Sequence, residues 1–99
     1  MYIIVAKMKN YFITKTASQV QLELAERFRE IRKSKKLSQT QLAGKSGVSL
    51  GSIKRFEYTG QISLESLLKI AHLFDRLDDF DGVFKINEDL KKIEQLFNQ

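Results

Sequence analysis

Side chains that donate hydrogen bonds carry most of the chemistry that this sequence offers. Lys54 and Arg55 are adjacent and could hold phosphate oxygens or the acceptor edge of guanine, and Gln39 could hold phosphate. Catalysis is the weaker interpretation, because the single histidine, His72, stands in no metal-ligand pattern. The acidic run at residues 75–81 accompanies neither a phosphate-binding loop nor a calcium loop. We therefore predict a binding protein with no catalytic residues, no metal and no cofactor.

The segment from Gln39 to Tyr58 has the residue spacing of two short helices joined by a tight bend. Gly47 falls at the bend, where a left-handed backbone conformation is cheap only for glycine. Ser49 precedes the second helix, where its hydroxyl can accept a backbone N–H. The second helix of such a unit can lie in the DNA major groove while the first crosses the backbone. The positions expected to be small or to face the core are Leu42, Ala43, Val48, Ile53 and Phe56.

Charge is divided unevenly along the 99 residues, whose formal net charge is +5. Residues 1–55 hold twelve Lys and Arg against three Asp and Glu, whereas residues 56–99 hold five against nine. A basic surface attracts nucleic acid by releasing condensed counterions, although such an excess alone is more typical of ordinary solubility charge. The chain contains no cysteine, which fits a reducing cytoplasm. Its longest apolar run, residues 3–6, is too short for a bilayer or a signal-peptide core.

Helix signals divide the chain into three parts. A capping box at Thr16–Gln19 begins the first helix, with an apolar stripe at Val20, Leu24, Phe28 and Ile31. A second helix is predicted at about 39–45, capped by Ser38, and a third at about 50–58, ended by Gly60. A fourth follows Ser63, and a short acidic element lies at 78–83. The fourth helix is expected to face the core through Leu64, Leu67, Leu68, Ala71 and Phe74, with Leu37, Phe80 and Val83 as further core contacts. We predict a domain at residues 17–83, an N-terminal extension at 1–16 and a C-terminal helical extension at 84–99.

The two extensions could each contribute to a subunit interface. Residues 2–8 have strand character, so a frayed start and a short strand paired with a second subunit are both open. Residues 87–97 carry a helical apolar stripe that either packs back on the domain or forms an interface.

The sequence SQTQLAGKSGVSLGSIKRFEYTG, residues 38–60, resembles the core motif of the lambda-repressor-like (Xre/Cro-type) helix-turn-helix domains. The resemblance extends from about Val20 to about Phe80. It implies an all-α, five-helix DNA-binding domain that recognises a double-stranded operator as a homodimer in the cytoplasm, away from any membrane.

The resemblance also assigns DNA-binding positions. Helical periodicity already turns most of the third helix's polar residues outward, and family positions put Ser49, Leu50, Gly51 and Lys54 near bases. Arg55 falls near bases or phosphate, and for Lys54 base and phosphate contact are equally open. Phosphate contacts are expected from Gln39, Thr40 and Ser52. The family usually has polar residues where this sequence has Leu50 and Gly51. We therefore expect few direct contacts with bases and a larger contribution of DNA shape to specificity.

A structural ion pair is implied as well. In several repressor-like domains an arginine late in the first helix meets a glutamate at the end of the third. Arg32 and Glu57 occupy those positions, although two unrelated surface charges remain the alternative.

Three functions from different classes fit these observations. The first is a transcriptional repressor acting as a homodimer. The second is an antitoxin, because residues 49–71 resemble the proteins that accompany HipA-type kinases, and it would bind the toxin and repress its own operon. The third, a protein-interaction module with an incidental basic surface, is disfavoured by the outward Lys54 and Arg55.

Overall fold

The fold is all-helical over the residues that the computed structural model describes, which are 14–86 and 88–98, with the side chains of 88–91 excepted. Five α-helices follow one another: α1 (Ala17–Ser34), α2 (Gln39–Ser46), α3 (Leu50–Thr59), α4 (Leu64–Leu73) and α5 (Glu88–Phe97). A short 3-10 helix, η1 (Leu77–Phe80), lies between α4 and α5. The predicted all-α class and the C-terminal helix are thereby confirmed. The predicted N-terminal strand lies outside the described residues.

Serine and threonine side chains begin the first four helices, as the sequence predicts. Thr16 forms the expected capping box with Gln19, and Ser38 forms a second one with Gln41. Ser49 and Ser63 each accept a backbone N–H three residues later. These bonds satisfy amides that would otherwise have no partner in the first turn.

Two glycines end α2 and α3 in the left-handed conformation. Gly47 has φ 77° and Gly60 has φ 81°. A Cβ on Gly47 would meet nothing within 4 Å, whereas a Cβ on Gly60 would lie 2.8 Å from the backbone carbonyl carbon of Gln21. Gly60 therefore also permits the end of α3 to approach the backbone of α1.

The core consists of two clusters joined by Phe28. Its ring lies edge-on to Phe56 at 5.6 Å and tilted against Phe74 at 5.9 Å between centroids. The contact between Phe28 and Phe56 packs α1 on α3. Separately, α2 packs on both α3 and α4. One cluster contains Leu42, Val48, Ile53, Ile70 and Phe74, and the other contains Ala25, Phe56 and Leu67.

Several predicted core contacts are wrong. Leu64 is 67% exposed, and Ile70, which was not predicted, is buried in its place. In α1 the buried apolar residue is Ala25, whereas Val20 is exposed. Val83 is also exposed and belongs to neither core cluster, because η1 ends at Phe80, three residues before it. Periodicity locates a helical face only approximately, and the neighbouring helices decide which edge of that face is covered.

None of the described helices is long and apolar enough to cross a membrane.

Candidate nucleic-acid interface

Helix α3 is held by its inward side and presents its polar side outward. Ile53 is 1% exposed and Phe56 is 3% exposed, so the two anchor the helix in the core. Gly51, Lys54 and Arg55 are exposed on the other side. The outward side chains can therefore enter a groove of DNA without disturbing the core.

The two serines at the start of α3 are bonded to each other. Ser49 Oγ accepts the backbone N–H of Ser52 at 3.1 Å and donates to Ser52 Oγ at 2.8 Å. Ser49 has thus committed its hydroxyl hydrogen, whereas the hydroxyl of Ser52 still has a hydrogen to donate. This arrangement suits Ser52 as a phosphate donor and leaves Ser49 chiefly as a helix cap. Between them, Leu50 is half-buried.

Arg55 is fixed in place by a residue that the sequence did not single out. Its Nε and Nη2 both donate to Oε1 of Gln61, with the Nε bond at 3.0 Å. Gln61 follows the glycine that ends α3, so the loop is folded back toward the guanidinium. The Nη1 end remains for an acceptor on DNA. The indication in the sequence was only that Gln61 follows a helix-ending glycine.

Arg32 and Glu57 form a two-bond ion pair between α1 and α3. Arg32 Nε lies 2.8 Å from Glu57 Oε2, and Arg32 Nη2 lies 2.9 Å from Glu57 Oε1. Both side chains are about nine-tenths buried. Arg32 Nη1 donates to the carbonyl of Leu37 at 2.8 Å, so the pair also ties down the chain before α2. Each charge has partners, which a buried charge requires.

The same glutamate holds the first residue of α2. Gln39 Nε2 donates to Glu57 Oε1 at 3.1 Å, so the Gln39 side chain is already bonded within the protein. The backbone at this helix end has free hydrogen-bond donors. The capping box supplies acceptors for the backbone N–H groups of Ser38 and Gln41, whereas those of Gln39 and Thr40 have no acceptor among the described residues. Two unpartnered N–H groups at a helix N-terminus form an anion site.

A polar cleft of about 510 Å³ lies beside this helix end. Arg29 and Arg32 reach it from α1, while Lys54, Glu57 and Tyr58 reach it from α3. Three cations against one carboxylate leave the cleft positive. Arg29 and Tyr58 were not predicted, although Arg29 lies one turn before Arg32 and Tyr58 one turn after Lys54, which places each pair on one helix face.

The described geometry brings only some of the predicted positions together. Gln39 and Lys54 line one cleft, whereas Ser52 and Arg55 line a separate hollow with Gln61 and Ser63. Thr40, Ser49, Leu50 and Gly51 line neither. Two helices that meet at a left-handed glycine, with a basic second helix facing outward, define a helix-turn-helix DNA-binding module.

Comparison with protein families gives the same answer. The model of a helix-turn-helix family matches residues 28–80, more than half of the chain. The chain therefore belongs to the helix-turn-helix family of the Xre and lambda-repressor-like type. That family binds DNA sequence-specifically and regulates transcription, and it is not typically enzymatic. Comparison with curated proteins and with solved structures gives no match.

Proposed function

We propose that this protein is a transcriptional repressor that binds a double-stranded DNA operator as a homodimer in the cytoplasm. The observation that carries the proposal is the shared cleft, in which the start of α2 and the outward side of α3 meet. A DNA strand whose phosphate is bound by the backbone N–H groups of Gln39 and Thr40 would run beside Lys54. Phosphate binding and base recognition would then act on the same duplex. An operator covered by two such modules excludes other proteins from the same DNA.

The residues divide by role. Gln39, Thr40 and Ser52 hold phosphate and set the orientation of the domain on the duplex. Lys54 and Arg55 donate to guanine or phosphate, and Leu50 can contact a thymine methyl group. Gly51 offers no side chain, so the backbone of α3 can approach the bases closely there. Because few side chains reach bases directly, sequence-dependent DNA shape supplies part of the specificity.

The test is selection of bound fragments from a pool of random duplex DNA. We expect an enriched site made of two inverted half-sites whose centres lie about 34–36 Å apart, one helical turn of DNA. A site with a single half-site would contradict the homodimer. A pool that shows no enrichment over several rounds would contradict sequence-specific binding.

A second candidate is the antitoxin of a HipA-type pair, which would bind a toxin kinase and repress its own operon. Besides the resemblance of residues 49–71, exposed apolar side chains at and just after the end of the domain favour a protein partner: Val83 is 51% exposed, Ile86 66% and Phe84 99%. The discriminating experiment is co-expression with the product of the neighbouring reading frame. A kinase-like product that co-purifies, and whose toxicity the protein relieves, supports the antitoxin; its absence leaves the repressor.

A further inference from the structure

Helix α5 exposes one apolar face. Ile93 is 47% exposed, Leu96 71% and Phe97 84%. Their spacing of three and four residues puts them on the same side of the helix. A helix of ten residues is marginal in water by itself and is usually stabilised by packing such a face.

An open apolar groove lies elsewhere on the same molecule. It has a volume of about 460 Å³ and runs between the end of α2 and the outer side of α4. Leu68, Leu73 and Leu77 supply its apolar surface, with Lys45 and Lys69 among its lining residues. Leu77 is 40% exposed, so a substantial part of this surface faces solvent.

The charges beside the two surfaces are complementary. Glu94 follows Ile93 and Lys92 precedes it, so a charge of each sign borders the apolar face of α5; over its full length the helix contains three acidic residues against two lysines. The groove is lined by two lysines, Lys45 and Lys69, against one carboxylate, that of Glu65, which lies 3.3 Å from Lys69 Nζ. Lys45 has no carboxylate within 4.0 Å among the described residues. A helix with one net negative charge would thus meet a groove with one net positive charge.

We propose that two copies of this chain exchange their α5 helices, each seated in the α2–α4 groove of the other. The protein's own α5 leaves the groove open, so the seat is available to a second copy. One short helix in one groove would bury little, whereas a two-fold exchange doubles the area toward the ~1,200 Å² of a stable interface. This inference rests on one part of the proposed function, namely that the protein is a homodimer. It assigns the interface that holds together the two DNA-binding domains, one for each half-site.

The first experiment is sedimentation of the full chain with two matched variants. Ile93→Asp places a charge on the apolar face, and Gln95→Asp places the same charge on the far side of α5, about 160° from Ile93 at 100° per residue. We expect the dimer dissociation constant to rise at least tenfold for Ile93→Asp and to stay within twofold for Gln95→Asp. A monomeric wild-type chain, or equal effects of the two variants, would overturn the proposal.

The second experiment locates the seat by exchanging charges. Lys69→Glu sets a carboxylate opposite Glu94, and Glu94→Lys sets an ammonium opposite Lys69, so each variant alone should dimerise several-fold more weakly. Mixed together, the two variants should form a heterodimer, because both exchanged contacts then pair opposite charges. If the two variants do not form a heterodimer on mixing, the exchange of α5 helices is excluded. If dimerisation is restored only when one chain carries both substitutions, α5 lies in the groove of its own chain.

Weak binding to random duplex DNA at low salt separates this inference from the proposed function. Neither Ile93 nor Lys69 lies in the DNA-binding cleft. A variant that no longer dimerises should therefore bind random duplex DNA with the affinity of a single intact DNA-binding domain. If no variant binds duplex DNA while the charge exchange works, the proposed function fails and the dimer stands. If DNA binding persists and the charge exchange fails, the reverse holds.

Discussion

At the scale of single residues, the carboxylate of Glu57 joins three helices beside the candidate DNA-binding cleft. It accepts two hydrogen bonds from Arg32 and one from Gln39, and Arg29 Nε lies 3.9 Å away. One carboxylate thereby connects α1, α2 and α3 next to the cleft. The pair was anticipated by resemblance, but the bond to Gln39 was not. That bond means that the Gln39 side chain is oriented by the protein before DNA arrives.

We expect Glu57→Ala to destabilise the fold by about 3–5 kcal/mol, because Arg32 would remain buried without its partner. Replacing both residues, as in Arg32→Met with Glu57→Leu, should cost much less. The measurement is the free energy of unfolding in urea. Asp79→Ala is the matched control, since its pair with Arg76 is about half exposed and should contribute less than about 1 kcal/mol. A loss as small as the control's would contradict the role of the buried pair.

Gln61 is expected to act on DNA through Arg55. If Arg55 contacts a base, Arg55→Ala should weaken operator binding by about 1–3 kcal/mol and relax preference at one position. Gln61→Ala should produce part of that loss, because the guanidinium then moves freely. In the Arg55→Ala background the same change should have no effect on operator affinity, which a double-mutant cycle measures. Additive losses would mean that Gln61 contacts DNA by itself.

At the scale of elements, the helix ends do more than terminate helices. The capping box at Ser38 satisfies the two amides that it reaches and leaves those of Gln39 and Thr40 pointing out of the helix. Gly47 sets the bend between α2 and α3, and Gly60 lets α3 end against α1. The orientation of the recognition helix therefore depends on both of its boundaries.

The two glycines offer a matched comparison. Gly47→Ala should cost about 1–2 kcal/mol, because alanine disfavours the left-handed conformation while the space around it is open. Gly60→Ala should cost more, since its Cβ would also collide with the backbone of α1 at Gln21. Thermal or chemical unfolding of both variants measures the difference. Equal losses would show that the contact between α3 and α1 relaxes at little cost.

At the scale of the whole molecule, charge and hydrophobic surface are separated. The basic excess falls in residues 1–55, which include α1, α2 and most of α3, whereas six of the eleven exposed large hydrophobic residues in the described part of the chain lie after residue 82. One region is suited to a polyanion and the other to a protein surface. A dimer joined through its C-terminal helices would keep both DNA-binding clefts available.

Binding to duplex DNA should weaken steeply with salt, because each phosphate contact releases counterions. If Lys54 contacts phosphate, Lys54→Ala should reduce the slope of log affinity against log salt by about one, on operator and random DNA alike. Lys85→Ala, outside both the cleft and the α2–α4 groove, should leave the slope unchanged. Fluorescence anisotropy across a salt series measures both. An effect of Lys54→Ala confined to the operator would assign Lys54 to a base instead.

The amino-acid sequence by itself determined the features that depend on near neighbours. Caps at Thr16 and Ser49, the left-handed glycines and the order of the helices all rest on interactions within about four residues, and each follows from residue type and spacing. The spacing of residues 39–58 was by itself specific enough to indicate the helix-turn-helix family. The DNA-binding roles of individual residues stay predictions.

Tertiary structure decided what residues distant in sequence do together. Arg29 and Tyr58 enter one cleft, and Gln39 binds Glu57, only because α1 and α2 pack across α3. Packing also put Ile70 rather than Leu64 in the core, since an amphipathic helix can rotate by tens of degrees without changing its sequence pattern. Periodicity describes one helix at a time, and the neighbours that select the buried edge are brought together only by the fold.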